Sequence, residues 1–225
     1  MTADDATTCG IVGGHRPPLQ IMDQEKVGQA LRHLRRVDPV MRDVIRRAGA
    51  FRLKPRRDRF YSLVSSILSQ QISGKAAASI RARLEDYVAP EKISAEALSR
   101  IKPDQLRRIG VSSQKAAYLL DLANRVQAGE LKLDRMARLT DEQVIEALVQ
   151  VKGIGVWTAQ MFLIFSLGRM DVFPHDDLGV RAAIRNLYGL DELPDKETSH
   201  RIATPWRPYA SVASWYCWRS LEFKD

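Results

Sequence analysis

The chain has 225 residues, with 35 Lys or Arg against 27 Asp or Glu, and its formal net charge of +8 favours an anionic partner such as nucleic acid. Hydrophobic residues make up 45% of it, which is typical of a globular protein with a buried core and excludes a disordered chain. Its apolar runs, such as Met161–Leu167, are far shorter than the roughly 20 residues that span a bilayer, which excludes a transmembrane helix.

Residues 1–22 are predicted to form a flexible leader, because glycine and proline are frequent and no apolar periodicity is sustained. The acidic pair Asp4 and Asp5, with no apolar stretch beside it, does not fit a secretory signal. The two cysteines, Cys9 and Cys217, lie near opposite ends, which excludes a disulfide framework and a thiolate metal cluster. We therefore expect an intracellular protein, cytoplasmic or associated with the nucleoid, with no membrane contact.

From residue 23 to residue 225 apolar residues recur at helical spacing, which predicts one all-α domain of roughly ten helices. Asp58 and Ser73 are candidate N-caps of two successive helices, and Thr140 with Gln143 forms a capping box. Further predicted helices cover residues 27–34, 40–45, 94–102, 112–129, 157–167, 178–187 and 208–221.

The most informative stretch is predicted to form a helix-hairpin-helix at about residues 140–168. A helix ends, a Gly-x-Gly turn follows at Gly153 and Gly155, and an apolar helix restarts at once. Two glycines permit positive φ and leave no Cβ in the way of a phosphate, while the next helix points its free N–H groups outward. Such a turn can hold a DNA backbone without reading bases. The pattern equally fits a tight turn between helices with no ligand.

A second motif follows one helix and one loop later, where residues 171–181 read DVFPHDDLGVR. Together with GIGVWTA at 153–159 it resembles the helix-hairpin-helix DNA glycosylase superfamily, and within it the 3-methyladenine DNA glycosylase II branch. The resemblance extends from about Phe60 to the C-terminus and includes SQQIS at 69–73. It implies two helical lobes with the active site in the cleft between them. One lobe would contain the hairpin, and the other would combine the early helices with the C-terminal helix.

The resemblance implies that Asp177 is the catalytic residue. A carboxylate fixed beside the sugar stabilises the positive charge that develops as an N-glycosidic bond breaks, and it can orient or deprotonate water. We expect Asp176 to be the structural N-cap of the following helix, and Asp171 to fix the loop. Bifunctional members carry a Schiff-base lysine where this chain has Trp157, which implies a monofunctional hydrolase that leaves an abasic site.

The same resemblance assigns the base pocket to Trp157, Trp215, Met161 and Leu178. Aromatic faces attract the cationic bases that alkylation produces at N3 of adenine or N7 of guanine. A tryptophan at helical spacing is also a common core residue, so for Trp215 both placements stay open. Some members have aromatic residues where Met161 and Leu178 stand, which implies a wider or softer pocket.

Contacts with DNA are implied at two places. A flipped base leaves a gap in the duplex, and the resemblance assigns the side chain that fills it to Gln71–Ile72, with Gln71 the closest match. Alternatively, Gln71 only ends the preceding helix. At the hairpin, Lys152 and Thr158 are candidate phosphate contacts beside the two glycines, although Lys152 also fits a solvated charge.

A monovalent cation is commonly held by this family's hairpin through backbone carbonyls, and position matching places these at Val149, Val151 and Gly153. Na⁺ or K⁺ is therefore the one bound ion that the resemblance implies. No organic cofactor is implied, and His175 has no second His or Cys at metal-ligand spacing.

The predicted function is hydrolytic removal of alkylated bases, of the 3-methyladenine and 7-methylguanine type, from double-stranded DNA in base excision repair. The protein is expected to act as a monomer and to flip the target base out of the duplex. Two alternatives stay open. One is a glycosylase for mismatched or oxidised bases, and the other is a non-catalytic helix-hairpin-helix DNA-binding protein that would not need Asp177.

Overall fold

A computed structural model describes residues 22–223, which form twelve α-helices and two short 3₁₀ turns and contain no β-strand. The predicted all-α fold is confirmed. Within this range no helix is long and apolar enough to cross a bilayer. In chain order the helices are α1 Gln24–Val37, α2 Pro39–Ala48, α3 Arg59–Ser69, α4 Gly74–Val88, α5 Ala95–Ser99, α6 Pro103–Arg108, α7 Ser113–Gln127, α8 Asp141–Val149, α9 Val156–Phe165, α10 Leu178–Tyr188, α11 Lys196–Ala203 and α12 Ala210–Ser220.

The predicted leader falls almost entirely outside the described residues, as does Cys9. Only Met22 belongs to both, and its backbone N–H donates to the Gly168 carbonyl at 2.8 Å. Met22 also packs against the apolar core. The described part of the chain therefore begins one residue before the predicted boundary.

Polar N-caps begin the helices where the sequence predicts them. Asp58 accepts from the Tyr61 N–H at 2.9 Å and begins α3, Ser73 begins α4, and Thr140 begins α8 with both capping-box hydrogen bonds present. Two short helices, α6 and α11, were not predicted. Pro103 ends no helix but begins α6, because a proline in the first turn has no N–H to lose.

Two buried apolar clusters organise the described part of the chain. The first lies among α3 to α9, and the second gathers α1, α2, α10, α11 and α12 around Trp206. The clusters correspond to the two expected lobes, hereafter the hairpin lobe and the terminal lobe. Trp218 of α12 packs against both clusters, so it marks the place where the lobes meet.

Arg169 ties the loop after α9 to the start of α8. Its buried guanidinium donates to the Leu139 carbonyl at 2.7 Å, and Nε lies 3.3 Å from the Asp141 carboxylate. Burial lowers the pKa of Arg169 and raises that of Asp141, and the attraction between the two charges opposes both shifts. The loop that leads to residue 177 is thereby held against the hairpin lobe.

Candidate active site

The Asp177 carboxylate lies at the junction of the two lobes. Its Oδ1 accepts from the Val180 backbone N–H at 2.8 Å and from the indole N–H of Trp218 at 2.8 Å. Its Oδ2 accepts from the indole N–H of Trp157, also at 2.8 Å. Trp157 belongs to the hairpin lobe, whereas Asp177 and Trp218 belong to the terminal lobe. Asp177 is only 8% exposed, and donors from both lobes fix the position and orientation of its carboxylate.

The hydrogen bonds leave one oxygen of Asp177 with room for a further partner. A carboxylate offers about four acceptor positions, two on each oxygen. Within residues 22–223, two N–H groups donate to Oδ1 and one donates to Oδ2. Oδ2 can therefore accept one further hydrogen bond, from a substrate group or from a water molecule.

The expectation that Asp176 is the N-cap is wrong, because Asp177 itself caps α10. Asp176 is exposed, and its carboxylate lies 3.2 Å from Nε2 of His175. The cap hydrogen bond uses only Oδ1 of Asp177, so capping leaves Oδ2 available for chemistry. Asp171 fixes the loop as expected, since it accepts from Arg207 at 3.0 Å and from the Ala210 N–H at 3.3 Å.

Gly179 makes the contact between Trp218 and Asp177 possible. A Cβ at this position would lie 3.0 Å from Cδ1 of Trp218 and 3.1 Å from Oδ1 of Asp177. Both distances are shorter than ordinary van der Waals contact. The glycine of the Asp-Leu-Gly motif therefore serves close packing of the indole on the carboxylate.

A cavity of about 350 Å³ lies between α3 and α9, a volume within the usual range of ligand sites. Met161 and Phe165 line it and lie one and two turns beyond Trp157 on the same face of α9. Phe165 stacks on Trp218 with ring centroids 5.5 Å apart, and Trp218 in turn donates to Asp177, so the two rings connect the cavity wall to the carboxylate. Other lining residues are Ser62, Ser65, Ser66 and Ser69 of α3, with Lys54, Arg56 and Arg81.

The predicted pocket residues are only partly gathered around this site. Trp157 is 43% exposed and Leu178 is 66% exposed, so both present apolar surface beside the carboxylate. Trp215 instead packs edge-to-face on Phe51 with centroids 4.7 Å apart, and its place in the base pocket stays a prediction. Sequence reasoning missed Trp218. Its position one helical turn after Trp215 was the available signal, since residues at i and i+3 lie close together on one side of a helix.

The hairpin places different demands on its two glycines. Gly153 has φ +79°, and a Cβ there would lie 2.0 Å from Cδ2 of Tyr118. Gly155 has φ −96° and no atom within 4 Å of a Cβ position. Positive φ is therefore used at Gly153 and not at Gly155. Gly155 instead leaves open space at the start of α9, where a phosphate could approach the backbone.

Of the remaining residues predicted to contact DNA, three are exposed and one is buried. Lys152 is exposed, and its backbone N–H donates to Asp121 at 2.9 Å. Thr158 is only 5% exposed and lines the cavity, which argues against the predicted phosphate contact. Gln71 lies beyond the end of α3 with φ +55°, and Ile72 beside it is 38% exposed. Both side chains are therefore free to meet a partner.

The carbonyls predicted to hold a cation have the right chemistry, since carbonyl oxygens suit Na⁺ and K⁺. Two of them already accept hydrogen bonds: Val151 from the Ile154 N–H at 3.0 Å, and Gly153 from the Gln70 side-chain amide at 2.8 Å. A carbonyl has a second lone pair, so these bonds restrict the direction of a cation without excluding it. Among residues 22–223 no group of three or more His, Cys, Asp or Glu could hold a metal ion.

Comparison with known proteins identifies the family of the chain. A family model described as HhH-GPD superfamily base excision DNA repair protein matches residues 64–208. DNA-3-methyladenine glycosylase 1 of Schizosaccharomyces pombe is 30% identical over 221 residues, which cover 92% of this chain and 95% of that protein. A Bacillus subtilis protein is 36% identical over 127 residues, and that match spans only 44% of its length.

Two solved structures share the fold. The 3-methyladenine DNA glycosylase of S. pombe in complex with abasic DNA has a TM-score of 0.79 and 30% identity, covering 87% of this chain and 97% of that one. The DNA-3-methyladenine glycosidase of Bacillus halodurans has a TM-score of 0.77 and 34% identity, covering 92% and 93%. By sequence and by fold, this chain is a member of the HhH-GPD superfamily of base excision DNA repair proteins.

Proposed function

We propose that this protein is a monofunctional DNA glycosylase that hydrolyses the N-glycosidic bond of alkylated bases, such as 3-methyladenine and 7-methylguanine, in duplex DNA. The observation that carries the proposal is the Asp177 carboxylate, held at the lobe junction by the indole N–H groups of Trp157 and Trp218. The relatives named DNA-3-methyladenine glycosylase support the choice of substrate class.

The chemistry follows from charge. As the bond between C1′ and the base nitrogen breaks, the base leaves with the electron pair and positive charge develops on the sugar. A fixed carboxylate in a water-poor site stabilises that charge more strongly than solvent would. Water then adds its oxygen to C1′ and loses a proton, which Oδ2 of Asp177 is able to accept. The products are a free base and an abasic site.

The exposed face of Trp157 and the Asp177 carboxylate beside it favour a base that already carries positive charge. Cation–π attraction contributes about 0.5–2 kcal/mol for a cationic base. The base reaches this surface by leaving the duplex, which costs a few kcal/mol and costs least for damaged pairs.

Strand cleavage is not part of the proposed reaction. A lyase step needs an amine that forms a Schiff base with the sugar, and the side chain that contacts Oδ2 of Asp177 is the indole of Trp157. We expect the strand to stay intact after base release and to break only when the abasic site is treated with alkali.

The DNA is held at the hairpin and at the turn after α3. The open space at Gly155 admits a phosphate to the N-terminus of α9, and the exposed Gln71 and Ile72 are positioned to fill the gap in the duplex. A Na⁺ or K⁺ on the hairpin carbonyls would offset phosphate charge. The family needs no organic cofactor. We infer that the protein acts as a monomer, where chromosomal DNA is found in the cell.

Incubation with methylated DNA tests the proposal, with chromatography of the released bases. We expect release of 3-methyladenine and 7-methylguanine from an otherwise intact strand. The Asp177→Asn variant should lose at least about 100-fold in single-turnover rate while still binding DNA that contains an abasic analogue. The matched control is Asp176→Asn, at the neighbouring exposed carboxylate, which should keep the wild-type rate.

Each alternative has its own outcome. Full activity of Asp177→Asn would contradict its assignment as the catalyst. DNA binding by the wild-type protein with no base release from any damaged DNA would indicate a binding module. Release of mismatched or oxidised bases alone would indicate a glycosylase of another specificity.

A further inference from the structure

The turn after α3, formed by Gln70, Gln71 and Ile72 and here named the wedge turn, is anchored at its N-terminal end by two hydrogen bonds. In the first, the Gln70 side-chain amide donates to the Gly153 carbonyl of the hairpin at 2.8 Å. In the second, Nζ of Lys115 at the start of α7 donates to the Leu68 carbonyl, two residues before the turn, at 2.7 Å. Desolvation lowers the pKa of Lys115. The Lys115 bond holds the backbone at the end of α3, and the Gln70 bond ties the first side chain of the wedge turn to the backbone of the hairpin.

The hairpin is attached to the same helix. Tyr118 of α7 packs beneath Gly153, and Asp121, one turn further on, accepts from the Lys152 N–H at 2.9 Å. Lys115, Tyr118 and Asp121 follow each other at a spacing of three, so they share one side of α7. The wedge turn, the hairpin and α7 therefore form a closed ring of contacts.

The backbone conformation of Gln71 depends on these contacts. Among residues 22–223 it is the one non-glycine with positive φ, a conformation that the surrounding structure must hold in place. Gln70 and Leu68 are the anchored residues on its N-terminal side. Without them the wedge turn could relax and carry the Gln71 side chain away from its present direction.

We infer that Gln70 is a positioning residue, which sets the Gln71 side chain at a fixed distance from the backbone grip of the hairpin. The inference rests on the proposed function, because it concerns the flipping of a damaged base. A phosphate bound at the hairpin then fixes where along the strand Gln71 enters the duplex. The Gly153 carbonyl serves this link as an acceptor, a role that the sequence did not indicate.

The experiment measures single-turnover base release by Gln70→Ala, Gln71→Ala and the double variant. Two duplexes are compared: one with the damaged base paired, and one with the same base opposite an abasic analogue, where extrusion needs little help. Each single variant should be about 10-fold slower on the paired duplex, the effect expected for loss of one hydrogen bond. On the unpaired duplex each should be within about 2-fold of wild type, since unpaired bases are extruded at least cost.

The double variant distinguishes a positioning role for Gln70 from a general loss of structure around the wedge turn. If Gln70 acts only through Gln71, the double variant is no slower than either single one, because coupled residues are not additive. Gln70→Glu keeps the shape of the side chain but replaces the donor with an acceptor, and it should behave like Gln70→Ala. Gln29→Ala, an exposed glutamine on α1, is the control and should match wild type on both duplexes.

Equal defects on both duplexes, or defects that multiply in the double variant, would overturn the inference. It remains testable if the wild-type protein releases no base. Insertion is then followed by the fluorescence of 2-aminopurine placed next to an abasic analogue. A smaller change with Gln70→Ala than with wild type supports positioning, and an equal change contradicts it.

Discussion

The two parts of the molecule that would act on a damaged nucleotide are prepared to different degrees. Asp177 is nearly buried and is held by N–H donors from both lobes. In the wedge turn, Gln71 and Ile72 are exposed, and the turn is held by the bond from Gln70 to Gly153 and by the bond from Lys115 to Leu68 just before it. Under the proposed function, the charge needed for bond cleavage is therefore fixed before DNA arrives, whereas the groups proposed to enter the duplex stay exposed until it does.

The largest expected effect is on stability, and it tests how firmly the loop that leads to Asp177 is held. Arg169→Met should lower the free energy of unfolding by about 3 kcal/mol, because it leaves Asp141 without its buried partner. Arg207→Met removes an ion pair with Asp171 that is more than half exposed on the arginine side, and should cost less than about 1 kcal/mol. Denaturant titration of both variants measures the difference. Equal losses of stability in the two variants would show that the fold depends no more on the Arg169–Asp141 pair than on the Arg207–Asp171 pair.

The next effect concerns catalysis alone. Trp218→Phe keeps an aromatic ring to stack on Phe165 but removes the N–H that donates to Oδ1 of Asp177. A hydrogen bond to a charged group is worth about 1.5–3 kcal/mol, so we expect base release about 10- to 100-fold slower. Single-turnover kinetics at saturating enzyme would show it, with affinity for abasic DNA unchanged. A loss of DNA affinity without a change in rate would assign Trp218 to binding.

A pair of glycine variants separates the two regions directly. In Gly179→Ala the added methyl meets Trp218 and Asp177, and we expect release to slow about 10-fold because small displacements at a reacting group are costly. In Gly155→Ala the methyl meets nothing in the free protein. It should leave stability unchanged and weaken DNA binding, as seen by fluorescence anisotropy. The comparison fails if both variants lose rate and affinity alike.

The smallest effect is the dependence of stability on pH. Burial raises the pKa of Asp171 above its ordinary value, and the charge of Arg207 opposes the shift. Protonation therefore favours the folded state, so wild type should gain stability relative to Asp171→Asn as pH falls from about 7 toward about 4. At Asp195, a hydrogen bond from the Thr198 N–H lowers the pKa, and the same comparison with Asp195→Asn should run in the opposite direction. Denaturation at several pH values measures both.

Much of the fold was predictable because its signals are local. An N-cap such as Ser73, or the capping box at Thr140, acts within four residues of the helix that it begins. The helices α6 and α11 escaped prediction because they are short. A proline such as Pro103 reads as a stop even where it fits the first turn of a new helix.

The candidate site was less predictable because its key contacts join distant parts of the chain. The motif indicates Asp177, but the hydrogen bond that Trp218 donates to it depends on how α12 packs against α10 and α9. The link from Gln70 to Gly153 has no sequence signature either, because a backbone carbonyl can accept from any donor that the fold brings near it. Asp176 and Asp177 are equally good caps by composition, and only the start of α10 distinguishes them.

The packing of Tyr118 beneath Gly153 has an evolutionary consequence. The ring occupies the space that any side chain at position 153 would need, so neither position is free to drift alone. Replacing the tyrosine with a smaller residue would remove the side chain that packs against the hairpin. Across descendants of this chain, we therefore expect the two positions to be retained or replaced together, which would let a residue on a separate helix report whether the hairpin keeps its shape.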